Sequence, residues 1–200
     1  MPARLAAAAW TTPRFIFLLA FVFATQAQAQ SQTQVQAPGD VPRPVDQLLA
    51  ALKSAPDEAA AATLETRIEH IWLEAGSPAV NLLMIKGMRE MHAGAPADAE
   101  EDFAAAITLD PGYAEAWHRR AIARFDSGDT VGAIADIGEV LQREPGNFSA
   151  LDTLTRLSEA LQDWRGAYDA WQKKLEIDPK TPGGEAKLKD LKRRALGDDT

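Results

Sequence analysis

Three acid-proline pairs recur along this chain at a fixed interval: Asp110-Pro111, Glu144-Pro145 and Asp178-Pro179, each 34 residues after the last. With 12 prolines among 200 residues, two further prolines at preset positions arise by chance only about 0.4% of the time, so the period is real. Alanine keeps the same interval at Ala99, Ala133 and Ala167, and a large residue follows four places on at Phe103, Ile137 and Trp171. A period of this length marks one supersecondary unit used several times. No single unit can bury its own apolar face, so the units must stack.

The middle unit shows what is repeated. Trp117, Ala121 and Arg124-Phe125 recur at three- and four-residue steps, which places them on one helix face. Gly128 suits a left-handed helix end and Asp129 suits the start of the next helix. A second helix then lines up Ala133, Ile137, Val140 and Leu141. It must stop at Glu144, because a residue before proline is pushed out of the α region. Gly94 occupies the place of Gly128 in the first unit, and Gln162 stands there in the third. Alanine abundance with only two tyrosines also favours helix. The fold class is all-α, built of antiparallel helix hairpins.

This pattern resembles the tetratricopeptide repeat, W-x2-L-G-x2-Y…A-x3-F…P. The matching units are 80–113 (Leu83, Gly87, Gly94, Ala99, Phe103, Ala106, Pro111), 114–147 (Trp117, Ala121, Gly128, Ala133, Pro145) and 148–181 (Leu151, Leu154, Ala167, Trp171, Pro179). The third unit departs from the pattern at Thr155 and Lys174, where looser packing is expected. The resemblance implies a right-handed α-solenoid whose concave face, made by the first helix of each unit, holds a protein or peptide. Residues matching the groove-facing places are Asn81, Met84, Met88 and Met91, then Glu115, His118, Ile122 and Phe125, then Ser149, Asp152, Arg156 and Glu159. The methionines suit irregular apolar side chains, while His118, Asp152 and Arg156 suit backbone or terminal charges. An alternative is that the methionines pack against the upstream hairpin. One family variant clamps acidic peptide C-termini with Lys, Asn and Arg; Met84, Met88 and Asp152 stand where its polar residues would be, which argues against that mode.

Residues 44–77 read as another helical hairpin, with Leu48, Leu49, Leu52, Leu64, Ile68, Ile71 and Trp72 as apolar positions. Its register fails, since the place 34 before Pro111 is Ser77. It is expected to be a degenerate N-terminal repeat or cap. Ser77-Pro78 is a good helix start. At the other end, 182–196 is expected to carry a basic amphipathic capping helix, with Ala186, Leu188, Leu191 and Ala195 on its apolar side. Its Lys187, Lys189, Lys192, Arg193 and Arg194 also suit an acidic partner or membrane surface.

The N-terminus reads as an address. Residues 1–29 hold Arg4 and Arg14, no acid, the ten-residue apolar run Phe15 to Ala24, and the small-x-small triplet Ala27-Gln28-Ala29. That run covers about 15 Å as helix, half of a bilayer core, so a cleaved signal peptide is expected rather than a span. Residues 30–43 are rich in Gln, Pro and Gly and are expected to form a disordered linker. These features suggest export to a bacterial periplasm, with no stable membrane span after cleavage.

Lys and Arg total 21 against 29 Asp and Glu, a net charge of −8, which is a poor match for nucleic acid. The chain has no cysteine, so disulfides and thiolate chemistry are absent. His70, His92 and His118 stand 22 and 26 residues apart, outside metal-helix spacing. No nucleophile elbow, P-loop or dinucleotide loop is present. The expectation is an exported, non-catalytic scaffold with no cofactor that binds a protein or peptide. The alternative is a self-associating subunit of a cell-envelope assembly, a homo-oligomer.

Overall fold

The computed structural model describes residues 43–197, so the signal peptide expected at 1–29 and all but the last residue of the linker expected at 30–43 lie outside the described residues. Within that range there are nine α-helices and no strand. The repeats are α3 (Pro78–His92) with α4 (Pro96–Leu109), α5 (Ala114–Asp126) with α6 (Thr130–Arg143), and α7 (Phe148–Ala160) with α8 (Trp164–Ile177). The hairpin α1 (Pro44–Lys53) and α2 (Glu58–Glu74) precedes them, and α9 (Gly184–Leu196) follows.

The helix ends follow local chemistry. Asp57, Ser77, Asp129, Asn147 and Asp163 each accept a hydrogen bond from the backbone N–H three residues on, satisfying a donor that the first turn leaves free. Between the helices of each repeat the chain turns through a left-handed residue: Gly94, Gly128 and, in the third repeat, Gln162 at φ 59°. The second helices end at Leu109, Arg143 and Ile177, and the residue before Pro111, Pro145 or Pro179 is in each case an extended C-cap, as the steric rule requires.

The core is a chain of shared seams. Val80, Met84, Ala99, Phe103, Ala106 and Tyr113 from the first repeat pack with Ala116 and Ala123 on α5 of the second. Ala121, Ala133, Ile137 and Val140 continue to Ala150 and Leu157 of the third. Trp171 and Ala167 then meet Leu188 and Leu191 of α9, which caps the stack, while Ala186 stays exposed. Gly87 lets α3 approach α4, because a Cβ there would lie 2.6 Å from the Phe103 ring. A second 34-residue correspondence sits inside the stack. Lys86 Nζ lies 2.5 Å from the nearly buried Asp102, and Arg120, 34 residues on, donates twice to buried Asp136 at 2.8 and 2.7 Å. The third repeat replaces the pair with Leu154 and Ala170.

The hairpin α1–α2, expected as a degenerate N-terminal repeat or cap, packs against the third repeat. Val45, Leu52, Ala55, Ala61, Ile68 and Trp72 form a cluster with Phe148 of α7, joined by Ile177 of α8. The Trp72 and Phe148 ring centroids are 5.3 Å apart. Arg43 donates to Glu144 Oε1 at 2.6 Å, and Gly146 lets Leu49 come close to the adjacent turn. At its far end α2 meets the first repeat's exit corner, where the Tyr113 hydroxyl donates to the Leu73 carbonyl at 2.7 Å. The hairpin therefore straps the corners of all three repeats. The physical reason is the apolar stripe Leu64, Ile68, Ile71 and Trp72, which finds uncovered Phe148 and Ile177.

Candidate functional site

Under the strap lies a cavity of about 660 Å³. Glu65, Thr66, Glu69, His70, Trp72 and Leu73 of α2 form one wall. The opposite wall comes from the first turns of α5 (Glu115, His118, Arg119) and α7 (Phe148, Ser149, Asp152, Thr153), with Lys174 of α8 behind. Helix periodicity explains the convergence: Glu115, His118 and Arg119 share one face of α5, and Ser149, Asp152 and Thr153 the matching face of α7.

The polar groups are cross-braced. His118 Nε2 lies 3.0 Å from Thr153 Oγ1, tying α5 to α7. Glu115 accepts from Arg119 at 2.6 Å and has His118 Nδ1 at 3.6 Å. Burial pushes the Glu115 carboxyl up, but His118 and Arg119 outweigh it and hold the group below its ordinary range. The Ser149 hydroxyl donates to Glu69 at 2.7 Å. Glu65 is the exception. Burial, then a hydrogen bond to Asp178 and that neighbour's charge, push its carboxyl from an ordinary 4.5 up to about 7. Lys174, only 9% exposed, stands 4.7 Å over the Trp171 ring and 4.0 Å from Asp152.

The structure divides the groove residues read from the sequence. His118 and Asp152 line the cavity together with Glu115 and Ser149. Ile122, Phe125 and Arg156 lie further along α5 and α7, outside the cavity lining, with the Arg156 guanidinium 5.8 Å over Phe125. Met84 is 1% exposed and belongs to the core, so it cannot meet a ligand. Met88 and Met91 pack against the same core cluster rather than against α1–α2. Asn81 donates to Gly76 O at 3.0 Å, holding the turn between α2 and α3. Glu159 accepts from Lys187 of α9 at 3.5 Å.

Sequence reasoning missed the α2 wall, Arg119, Thr153 and Lys174. The signal it held was the departure at Thr155 and Lys174. Instead of loosening the third repeat, Thr155 is fully buried with its hydroxyl donating to Leu151 O. Lys174 carries a cation into the site. Asp102, Glu115, Asp136 and Asp178 are buried. Among the described residues no cluster of His, Asp and Glu is arranged to hold a metal, and no helix is long and apolar enough to cross a membrane.

No family model matches the chain. A TPR repeat-containing protein of Rhizobium etli is 32% identical over 161 residues, covering 78% of this chain and 76% of that protein. The first TPR of Spaghetti, solved bound to an HSP90 peptide, superposes with a TM-score of 0.55 at 20% identity, covering 58% of this chain and 93% of that one. The protein MamA superposes with a TM-score of 0.55 at 18% identity, covering 76% and 81%. These two likenesses speak to the fold. The internal period, the stacked hairpins and the Rhizobium relative together establish that this chain belongs to the tetratricopeptide-repeat family.

Proposed function

We propose that this chain is an exported, non-catalytic scaffold that captures a partner protein or peptide along the inner face of repeats 2 and 3. The observation that carries the reading is the row of polar and aromatic side chains on α5 and α7. His118 and Asp152 border an open cavity, and Arg156 stacks on Phe125 beyond it. Such a row offers anchors for backbone and charged groups with little chemistry of its own. Peptide capture by a similar fold supports it, since the first TPR of Spaghetti was solved with an HSP90 peptide. Export is supported by Arg4, Arg14, the apolar run from Phe15 and the Ala27-Gln28-Ala29 triplet.

A photo-crosslinking residue at Arg156, on the inner row, against one at Val131, exposed on α6, tests this in intact cells. A discrete adduct from 156 and none from 131 is the expected result. Adducts from 131 alone would reject the inner face. A second reading is favoured by one feature: Leu82 and Ile85 on α3 are 69% and 59% exposed among the described residues. They suit a self-associating role, which concentration-dependent light scattering would reveal.

A further inference from the structure

The strap α1–α2 lies over the inner face, yet its seat is incomplete. It leaves the 660 Å³ cavity beneath α2. The Trp72 indole N–H is buried without a hydrogen-bond acceptor among the described residues, although indole donors normally find one when buried. Glu65 is pressed against a second carboxylate, that of fully buried Asp178. A permanent brace would be expected to fill its volume and satisfy its donors. The seams of repeats 1 and 2 also contain no residue of α1 or α2. Lifting the hairpin would uncover mainly Phe148 and Ile177 and leave those seams intact.

We propose that the inner face of repeats 2 and 3 is a docking surface for an amphipathic helix with apolar residues at four-residue steps and polar flanks, and that α1–α2 is its displaceable occupant. The chemistry of the partner is read from the helix now seated there. Leu64, Ile68 and Trp72 follow at four-residue steps and meet Phe148 and Ile177. Glu65 and Glu69 flank that stripe, and the Ser149 hydroxyl donates to Glu69 at 2.7 Å, while the opposite wall carries both signs of charge in Glu115, Arg119, Asp152 and Lys174. A partner with the same stripe, longer or with a hydrogen-bond acceptor for Trp72's counterpart, takes the same seat in the helix-in-groove manner. The tether through Ala75 to Ser77 gives the hairpin an effective concentration on the order of millimolar, so micromolar competitors bind only when the hairpin is weakened. This inference rests on the scaffold reading above.

The test uses the full chain and a synthetic peptide of residues 57–75, with a control peptide carrying Asp in place of Ile68 and Trp72. In hydrogen exchange, α2 amides should exchange at least tenfold faster than those of α4 and α6, since the strap opens while the repeats stay folded. The labelled peptide should bind the Ile68→Ala chain at least tenfold more tightly than wild type. Glu69→Lys, at an exposed position, serves in its place if Ile68→Ala does not fold. Equal exchange in α2 and α6, or peptide binding no better than the control, would overturn the proposal. A concentration-dependent dimer exchanging hairpins would overturn the partner assignment in favour of a second copy. A crosslink from 156 together with a strap that never opens would sink this inference and leave the scaffold reading standing.

Discussion

The Ser149 hydroxyl donates to Glu69 Oε1 across 2.7 Å, joining residues 80 apart in sequence. This bond fastens the N-terminal hairpin to the third repeat rather than to the first. The same long-range fastening recurs between Arg43 and Glu144, 101 residues apart. Contacts of this reach are unusual in a solenoid, where each unit ordinarily touches only its neighbours. If the strap is energetically separate from the stack, Ile68→Ala should act locally. Removing that fully buried side chain costs about 2–5 kcal/mol. Hydrogen exchange should show the loss in α1 and α2, with α4 and α6 unchanged.

The strap should loosen as pH rises. The folded-state carboxyl of Glu65 is raised from 4.5 to about 7, so the native chain holds a proton the unfolded chain releases. The stability tied to that proton is full below pH 4.5 and is lost as pH climbs through 7. Glu69, His70, Glu115, His118, Arg119, Asp152 and Lys174 share the cavity, and Asp178 presses on Glu65 directly. A Glu65→Gln substitution isolates the effect. After correction for intrinsic exchange, α2 amides should open more at pH 7.5 than at 5.5 in wild type, with the difference largely gone in Glu65→Gln.

The buried pairs of the first two repeats predict a non-additive double mutant. Asp136→Ala leaves Arg120, mostly buried, without its carboxylate, and should cost about 3–5 kcal/mol. Arg124 retains Glu100 at 2.8 Å. The third repeat does without the pair, carrying Leu154 and Ala170 at the matching places. Arg120→Leu combined with Asp136→Ala should therefore recover most of the loss, as urea denaturation of the single and double variants would measure.

Gln162 takes the left-handed conformation that glycine supplies at Gly94 and Gly128. A non-glycine residue there costs about 1–2 kcal/mol, partly offset because glycine loses more chain entropy on folding. Gln162→Gly should raise Tm by about 2–4 °C. A lower Tm would contradict this view of the turn.

The stack was legible in the sequence because its geometry is periodic. Pro111, Pro145 and Pro179 end helices by local sterics, and Ala99, Ala133 and Ala167 mark close crossings. The seat of α1–α2 was not legible, since a 34-residue period reports which neighbours stack and nothing about a strap reaching 80 residues ahead. The candidate site followed suit. His118 and Asp152 followed from the groove-facing places that the repeat resemblance implies, whereas Glu65, Glu69 and Trp72 did not. Met84 misled because groove and core positions on α3 lie within one turn of each other, and a methionine suits both.

The placement of α2 over repeats 2 and 3 is most directly tested by nuclear Overhauser contacts of the Trp72 indole. The account predicts cross-peaks from Trp72 to the Phe148 ring, whose centroid lies 5.3 Å away. Cross-peaks from Trp72 to side chains of α3, with none to Phe148, would mean ordinary upstream stacking and would contradict it.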